Sequence, residues 1–347
     1  MGPVLLRADN FTPPARTPWG GRRILEKYKA GLGIRCAHPV VGESWEISVE
    51  PSFPSRLAGT GELLGELIAR DPLGWLGDAC AARFGGQTPL LVKLLDAGAD
   101  LSIQVHPEDG DPALGPDESG KPESWLVLDA APGAGLYLGL GEGVDRRAVQ
   151  ECLAACGPLE RLLNFVPVHP GDVFVIPAGT AHAIGAGVTL IEPQHVAPGR
   201  RGVTYRFWDY GRRYDAEGRL DPHGEPRALH VERSLGATDW DGPRGAELVA
   251  SCRAAPHMLE RRGEAERRLL ADWRWFVVER WTGTGALAVP APGTLVALTC
   301  VGGAATVSAG DAAIALRCGQ SALVPAAAGA VQAELAGASV VAVRTPE

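Results

Sequence analysis

Apolar and polar positions along this chain alternate mostly in short runs, and few stretches repeat at the three-to-four spacing of a helix. The segments 90–97 (LLVKLLDA), 101–106 (LSIQVH), 124–130 (SWLVLDA), 172–178 (DVFVIPA) and 188–194 (VTLIEPQ) predict strands. So do 275–281 (WFVVERW), 295–301 (LVALTCV), 312–318 (AAIALRC) and 321–326 (SALVPA). Helices are expected over 62–70 and 73–84. A further helical pattern covers 145–165, with Asp145 where an N-cap belongs and the Gly157-Pro158 pair dividing it. Many short strands joined by Gly- and Pro-rich turns predict a mainly β protein of sandwich or jelly-roll type with a few short helices.

Within this pattern, segment 101–106 carries its polarity oddly. Leu101, Ile103 and Val105 share one face and Ser102, Gln104 and His106 the other, because side chains alternate along a strand. A solvated face is normally filled with Lys, Glu and Thr. A hydroxyl, an amide and an imidazole in succession suit the lining of a site. Lys93, inside the apolar run LLVKLL, likewise needs a partner or a cavity.

An internal echo divides the chain. Gly171, Pro177, Gly179 and His182 stand at the Gly-x5-Pro-x-Gly-x2-His spacing that resembles the second signature motif of the cupins, although Ala186 replaces that family's asparagine. Gly319-x5-Pro325 repeats the frame with Ala327 and Ala330 in place of the glycine and histidine. Two cupin-like units are therefore expected: a catalytic, metal-binding unit over 1–240 with helical insertions, and a degenerate unit over 241–347. The stretch 211–245, rich in Arg, Asp, Gly and Pro, reads as the linker.

Composition narrows the chemistry. The 347 residues carry a formal charge of −8, which disfavours nucleic acid as a partner. No run of apolar residues is long enough to span a membrane. The seven cysteines follow no zinc-ribbon or redox spacing, and a cytoplasmic, reduced protein is expected. Gln104 and His106, two residues apart on one strand face, can supply two ligands. Glu123 in GKPESW and His182 after the Pro177–Gly179 turn can add two more. Two imidazoles, a carboxylate and an amide oxygen suit Zn²⁺ and tolerate Mn²⁺, Co²⁺ or Fe²⁺. The remaining histidines (38, 169, 195, 223, 230, 257) are read as structural, and Glu108, Asp109 and Asp111 as a solvated turn.

The consecutive segments LLVKLLDAGADLSIQVHPED, GKPESWLVLDA, GDVFVIPAGTAHAIGAGVTLIEPQ and TYRFWDYGR resemble those of type I phosphomannose isomerases, the short bacterial form most of all. PWGGRRILEKY and GESWEIS extend the resemblance over about residues 18–212. It implies a metal held by Gln104, His106, Glu123 and His182, and a sugar phosphate as substrate. It also implies interconversion of mannose 6-phosphate and fructose 6-phosphate, by a monomer or weak homo-oligomer. The essential arginine falls on Arg206 of TYR. The loop before it is longer than usual and carries Arg200 and Arg201, so Arg200 is the alternative. Lys93 and Lys121 are expected to move protons or bind substrate, and Ser102 and Glu192 to contact the sugar. An isomerase of a related sugar, a cupin dioxygenase and a silent sugar-binding cupin share parts of this ligand set. Turnover, oxygen uptake and metal content separate them.

Overall fold

The computed structural model describes residues 1–288 and 293–346. Three antiparallel sheets carry the fold. A six-stranded sheet runs in the order Arg253–Ala254, Val173–Ile176, Glu123–Ala130, Val188–His195, Leu90–Asp96, Glu43–Ile47. Facing it is a five-stranded sheet ordered Tyr205–Trp208, Ile103–Val105, His182–Ile184, Gly135–Leu140, Leu163–Pro167. Trp125, Val127, Phe174 and Leu190 of the first sheet meet Leu136, Leu138 and Ile184 of the second in a closed apolar core. The expected mainly β class, with open sheets and few helices, is the one observed.

The alternation of 101–106 acquires its meaning here. Ile103 and Val105 do not face the inter-sheet core. They point outward, under a helical layer formed by Val149 of helix Arg146–Ala154 and Leu235 of helix Val231–Ala237. Gln104 and His106 point inward, where the sandwich opens. Leu101 breaks the expected alternation: it precedes the regular strand and joins the inter-sheet core with Leu95.

On its outer face the six-stranded sheet buries Ile47, Val92, Leu126 and Ile191 against short helices at Leu64–Arg70, Pro72–Leu76 and Asp78–Arg83. The same cluster takes Val278, Ala297, Leu323 and Val341 from the third sheet. The helix expected over 73–84 is split at Gly77 (φ 77°), where a Cβ would stand 1.7 Å from the Gly293 carbonyl oxygen. The pattern 145–165 also divides. Asp145 caps helix Arg146–Ala154 through the Ala148 amide at 2.8 Å, but Leu163–Pro167 is a strand. Asn164 Nδ2 reaches the carbonyl oxygens of Leu138, Gly139 and Leu140 at 2.9–3.2 Å and fills a gap where the neighbouring ladder shifts register.

The third sheet contains the 14-residue strands Val296–Ala309 and Val331–Arg344; the alanine-rich second one does not stand out in the sequence. Register shifts at Gly283/Gly285 and around Gly302 face the same stretch of Val331–Arg344, Ala338 and Ser339, from its two sides. Gly303 (φ 61°) passes so close to the Gly337 carbonyl that a Cβ would lie 2.1 Å from its oxygen. Such glycine bulges bend strands, and the two halves of the bent sheet close on Trp281, Leu298, Cys300, Leu316 and Leu335. The second Gly-x5-Pro frame lies here, ending in a 3₁₀ turn at Ala326–Ala328. Gly319 and Ser321 in that frame contact a buried ion pair. Lys29 Nζ lies 2.7 Å from Glu46 Oε1 and donates to the Gly319 carbonyl, while Ser321 Oγ donates to Glu46 Oε2.

Strands cross between the two halves of the chain. Val4–Leu5 pairs with Ala322 and Leu323 of the third sheet, and Arg253–Ala254 pairs with Val173 and Phe174 of the six-stranded sheet. Stretch 211–245, expected as a linker, is instead folded against the five-stranded sheet. It forms a hairpin of Arg213–Tyr214 with Glu225–Pro226 and the helix Val231–Ala237.

Candidate active site

Where the sandwich opens, Gln104 and His182 are cross-strand partners and Arg206 pairs with Gln104 from the other side. Glu123 reaches across from the opposite sheet. His106 Nε2 lies 3.4 Å from Glu123 Oε2 and His182 Nε2 lies 3.3 Å from Glu123 Oε1. Both rings are fixed from behind. His106 Nδ1 donates to the Val203 carbonyl (2.9 Å) and His182 Nδ1 to that of Thr180 (2.8 Å). A carbonyl can only accept, so the proton of each neutral ring sits on Nδ1 and each Nε2 turns a lone pair toward Glu123. Gln194 Nε2 holds the carboxylate at 2.7 Å.

This donor set fits a metal ion. Among the described residues, His106, Glu123 and His182 form the one group of three His, Cys, Asp or Glu side chains whose donor atoms converge, all within 4.8 Å of one another. Donors bound at 2.0–2.2 Å around a tetrahedral ion stand roughly 3.3–3.6 Å apart, which the two His–Glu separations match. His106 Nε2 and Glu123 Oε1 are buried without a hydrogen-bond partner, as expected of atoms reserved for another ligand. The Gln104 amide stands 3.4 Å from His182 Nε2 through its nitrogen, and a half-turn of the amide brings its oxygen to the same place.

The electrostatics agree. Burial, reinforced by the Lys121 charge, holds the His106 imidazole well below its ordinary value and therefore neutral. Burial disfavours an ionised Glu123, but His106, Lys121 and His182 outweigh it and hold the carboxyl well below the usual range. Glu192 behaves oppositely. Burial and the Glu123 charge push it up to about 8, and its Oε1 accepts from Trp125 Nε1 at 2.9 Å.

Beside the donors lies a cavity of about 440 Å³, lined among others by Ser102, Gln104, Lys121, Glu192 and Arg206. Lys121 Nζ stands 3.7 Å from Glu123 Oε2. Lys93 is set back from the lining. It lies 3.7 Å from Glu43 Oε2 and 4.4 Å from the centre of the Trp45 ring. Arg200 also stands outside, on a separate cleft with Val49 and Pro198, with a 3.4 Å contact to the Glu118 carbonyl. Arg201 lines the cavity, tied to Glu118 at 2.5 Å.

A profile described as phosphomannose isomerase type I, catalytic domain, matches residues 18–131. The mannose-6-phosphate isomerase of Streptococcus mutans is 30% identical over 310 residues, 88% of either chain. The chain belongs to the type I phosphomannose isomerase family. A Bacillus subtilis mannose-6-phosphate isomerase is 33% identical over 223 residues, 62% of this chain and 63% of that one. The crystal structure of the mannose 6-phosphate isomerase from the same organism superposes with a TM-score of 0.80 at 25% identity, covering both chains completely.

Several residues of this phosphomannose isomerase fold escape a sequence reading. Asp109, taken for part of a solvated turn, accepts from Gly120 N (2.8 Å) and Ser119 Oγ (2.9 Å), and so fixes the turn that carries Lys121 and Glu123. Glu108 pairs with Arg274 from the third sheet's side at 2.8 Å. His195 is buried against Trp275, 4.3 Å between ring centres. Arg227, His230 and Arg233 reach the cavity from the supposed linker. Arg227 and His230 precede the helix Val231–Ala237 and Arg233 lies within it, so no sequence periodicity links the three.

Proposed function

We propose that this chain interconverts mannose 6-phosphate and fructose 6-phosphate with one divalent ion, zinc by preference, held by Gln104, His106, Glu123 and His182. The observation that carries this reading is the three-donor cage beside a cavity whose wall holds Gln104, Lys121, Glu192 and Arg206. The reaction takes the proton from C2, returns one to C1, and moves a hydroxyl proton from O2 to O1 through a cis-enediol. When bound, the ion supplies a Lewis acid at the O1/O2 edge, where negative charge develops. Glu192 holds a proton at neutral pH and faces the cavity, which suits it to exchange one with the sugar as well as to bind it. Lys121 is the second proton carrier of this reading. Arg206 supplies a fixed cationic donor near the oxygens, and Ser102 a hydroxyl. Lys93 acts one layer back, by holding Glu43. Arg200 is left without a part.

The catalytic unit, up to about residue 240, works in this reading as a single chain, which supplies every site residue named above. The unit after it serves as a metal-free support, with the strands 4–5 and 253–254 exchanged between them. Seven free cysteines favour a reducing, cytoplasmic setting. No helix of the described residues is long and apolar enough to cross a membrane. The test is an isomerisation assay on mannose 6-phosphate and on unphosphorylated mannose, with and without chelator. Conversion that needs the metal and prefers the phosphate ester is expected, and metal-independent conversion or none would overturn the proposal.

A further inference from the structure

The segment joining the two units carries a charge imbalance that metal chemistry does not use. Asp209, 4% exposed at the end of the strand Tyr205–Trp208, accepts from Arg212 and from two nitrogens of Arg227, Nε at 2.8 Å and Nη2 at 2.5 Å. Arg206 lies next to them, and its side-chain partners are the neutral Ser102 hydroxyl (3.0 Å) and Ala228 carbonyl (2.8 Å). One carboxylate therefore serves three guanidinium groups. Burial, followed by the Arg227 charge, pushes Arg206 down to about 10, the mark of cations crowded without enough counter-charge. Glu118 does not supply it, being engaged with Arg201 and Arg233.

His230 completes the wall. The Arg206 backbone N–H donates to His230 Nδ1 at 3.2 Å, and the His230 amide donates to the Arg206 carbonyl at 2.8 Å. An Nδ1 that accepts leaves the proton of the neutral ring on Nε2, and burial with the neighbouring Arg206 and Arg233 charges keeps the ring neutral. The cavity wall thus offers a ring N–H of His230 together with the Arg227 guanidinium, of which Asp209 holds Nε and Nη2, and both residues line the cavity. A fixed ring N–H and an undercompensated guanidinium suit the oxygens of a phosphate.

We propose that Arg227 and His230 form the subsite for the phosphate monoester of the sugar, so that the connecting segment selects phosphorylated over free substrates. The identity of the ester as a sugar phosphate rests on the isomerase reading; the anion subsite does not. The test uses the metal-loaded full chain and its Arg227→Gln and His230→Gln variants, with unfolding midpoints to confirm folding. The ratio of kcat/KM for mannose 6-phosphate to that for mannose should fall about tenfold or more in each. The Kd of inorganic phosphate, titrated calorimetrically, should rise by a similar factor, and Arg227→Lys should recover part of both. Ratios and phosphate affinities within about twofold of the parent in both folded variants would overturn the proposal. They would assign phosphate to the metal or to another cation. If the parent converts neither sugar the isomerase reading fails, and the phosphate titration alone still judges the subsite.

Discussion

Replacing Arg206 by lysine tests whether the cavity needs a fixed fork or only a positive charge. The Arg206 Nε is held by Ser102 Oγ at 3.0 Å and Nη1 by the Ala228 carbonyl at 2.8 Å, so two nitrogens are anchors and Nη2 is left to the cavity. A lysine has one nitrogen and cannot keep both anchors while presenting a donor. Losing one preorganised donor to a developing oxyanion costs about 2.7–4 kcal/mol, on the order of a hundredfold or more in rate. The assay is kcat for mannose 6-phosphate at saturation, with bound metal measured on the same samples. A fall of that size with metal content unchanged is expected, because Arg206 bonds to none of the three converging donors. The same exchange at Arg200 should stay within about twofold of the parent, since its recorded contact is a 3.4 Å approach to a carbonyl outside the cavity. A crippled Arg200→Lys beside a nearly normal Arg206→Lys would refute the reasoning and move the catalytic arginine into the longer loop.

Chelator should abolish activity, and His106→Ala or His182→Ala should each strip the metal; full activity in metal-free protein would end the mechanism. The His182→Ala protein should hold no stoichiometric metal at all, and an ion bound by residues after 245 would contradict the support role of the third sheet. His195, held neutral by burial at a value of about 4, should make stability pH-dependent. Its contribution is complete above the ordinary value near 6.5, where neither state is charged. As pH falls from about 6.5 to about 4 the unfolded chain takes up a proton that the folded chain refuses, and roughly 3 kcal/mol is lost. His195→Phe, which keeps an aromatic ring against Trp275, should flatten that loss in urea titrations between pH 7 and 4; an unchanged slope would assign it to other groups.

The site was more legible in the sequence than the fold around it. Gln104 and His106 announce themselves because a strand face with no solvating residues has few uses, and His182 because it ends the Gly-x5-Pro-x-Gly-x2-His frame. The direction of that face was not legible. Alternation alone places Ile103 and Val105 toward the main core, whereas a helical layer on the outside buries them and frees the inner face for chemistry. Leu163–Pro167 carries helical spacing, and Asn164, bridging three carbonyls, is the tertiary contact that overrides it. Val331–Arg344 hides because alanine and a central Gly337 dilute its alternation, although Val331, Ala333 and Leu335 do turn inward. Arg227 and His230 were lost in a stretch whose charge resembles a solvated connection. Nothing local shows that Asp209 gathers Arg212 and Arg227 beside Arg206.

The pairing of Val4–Leu5 with Ala322 and Leu323 also sets an order of events during synthesis. These residues leave the ribosome more than 300 residues ahead of their partners and must wait, unpaired, until those have followed. The jelly roll of the first half can collapse early on its own contacts. The third sheet cannot gain its outermost strand until residues 322 and 323 have emerged, and such distant pairings are slow because loop closure precedes their reward. A chain stalled or cut before residue 321 would therefore keep both a homeless strand and an exposed outer face on its six-stranded sheet. Chaperones and proteases would meet the unfinished chain at that face.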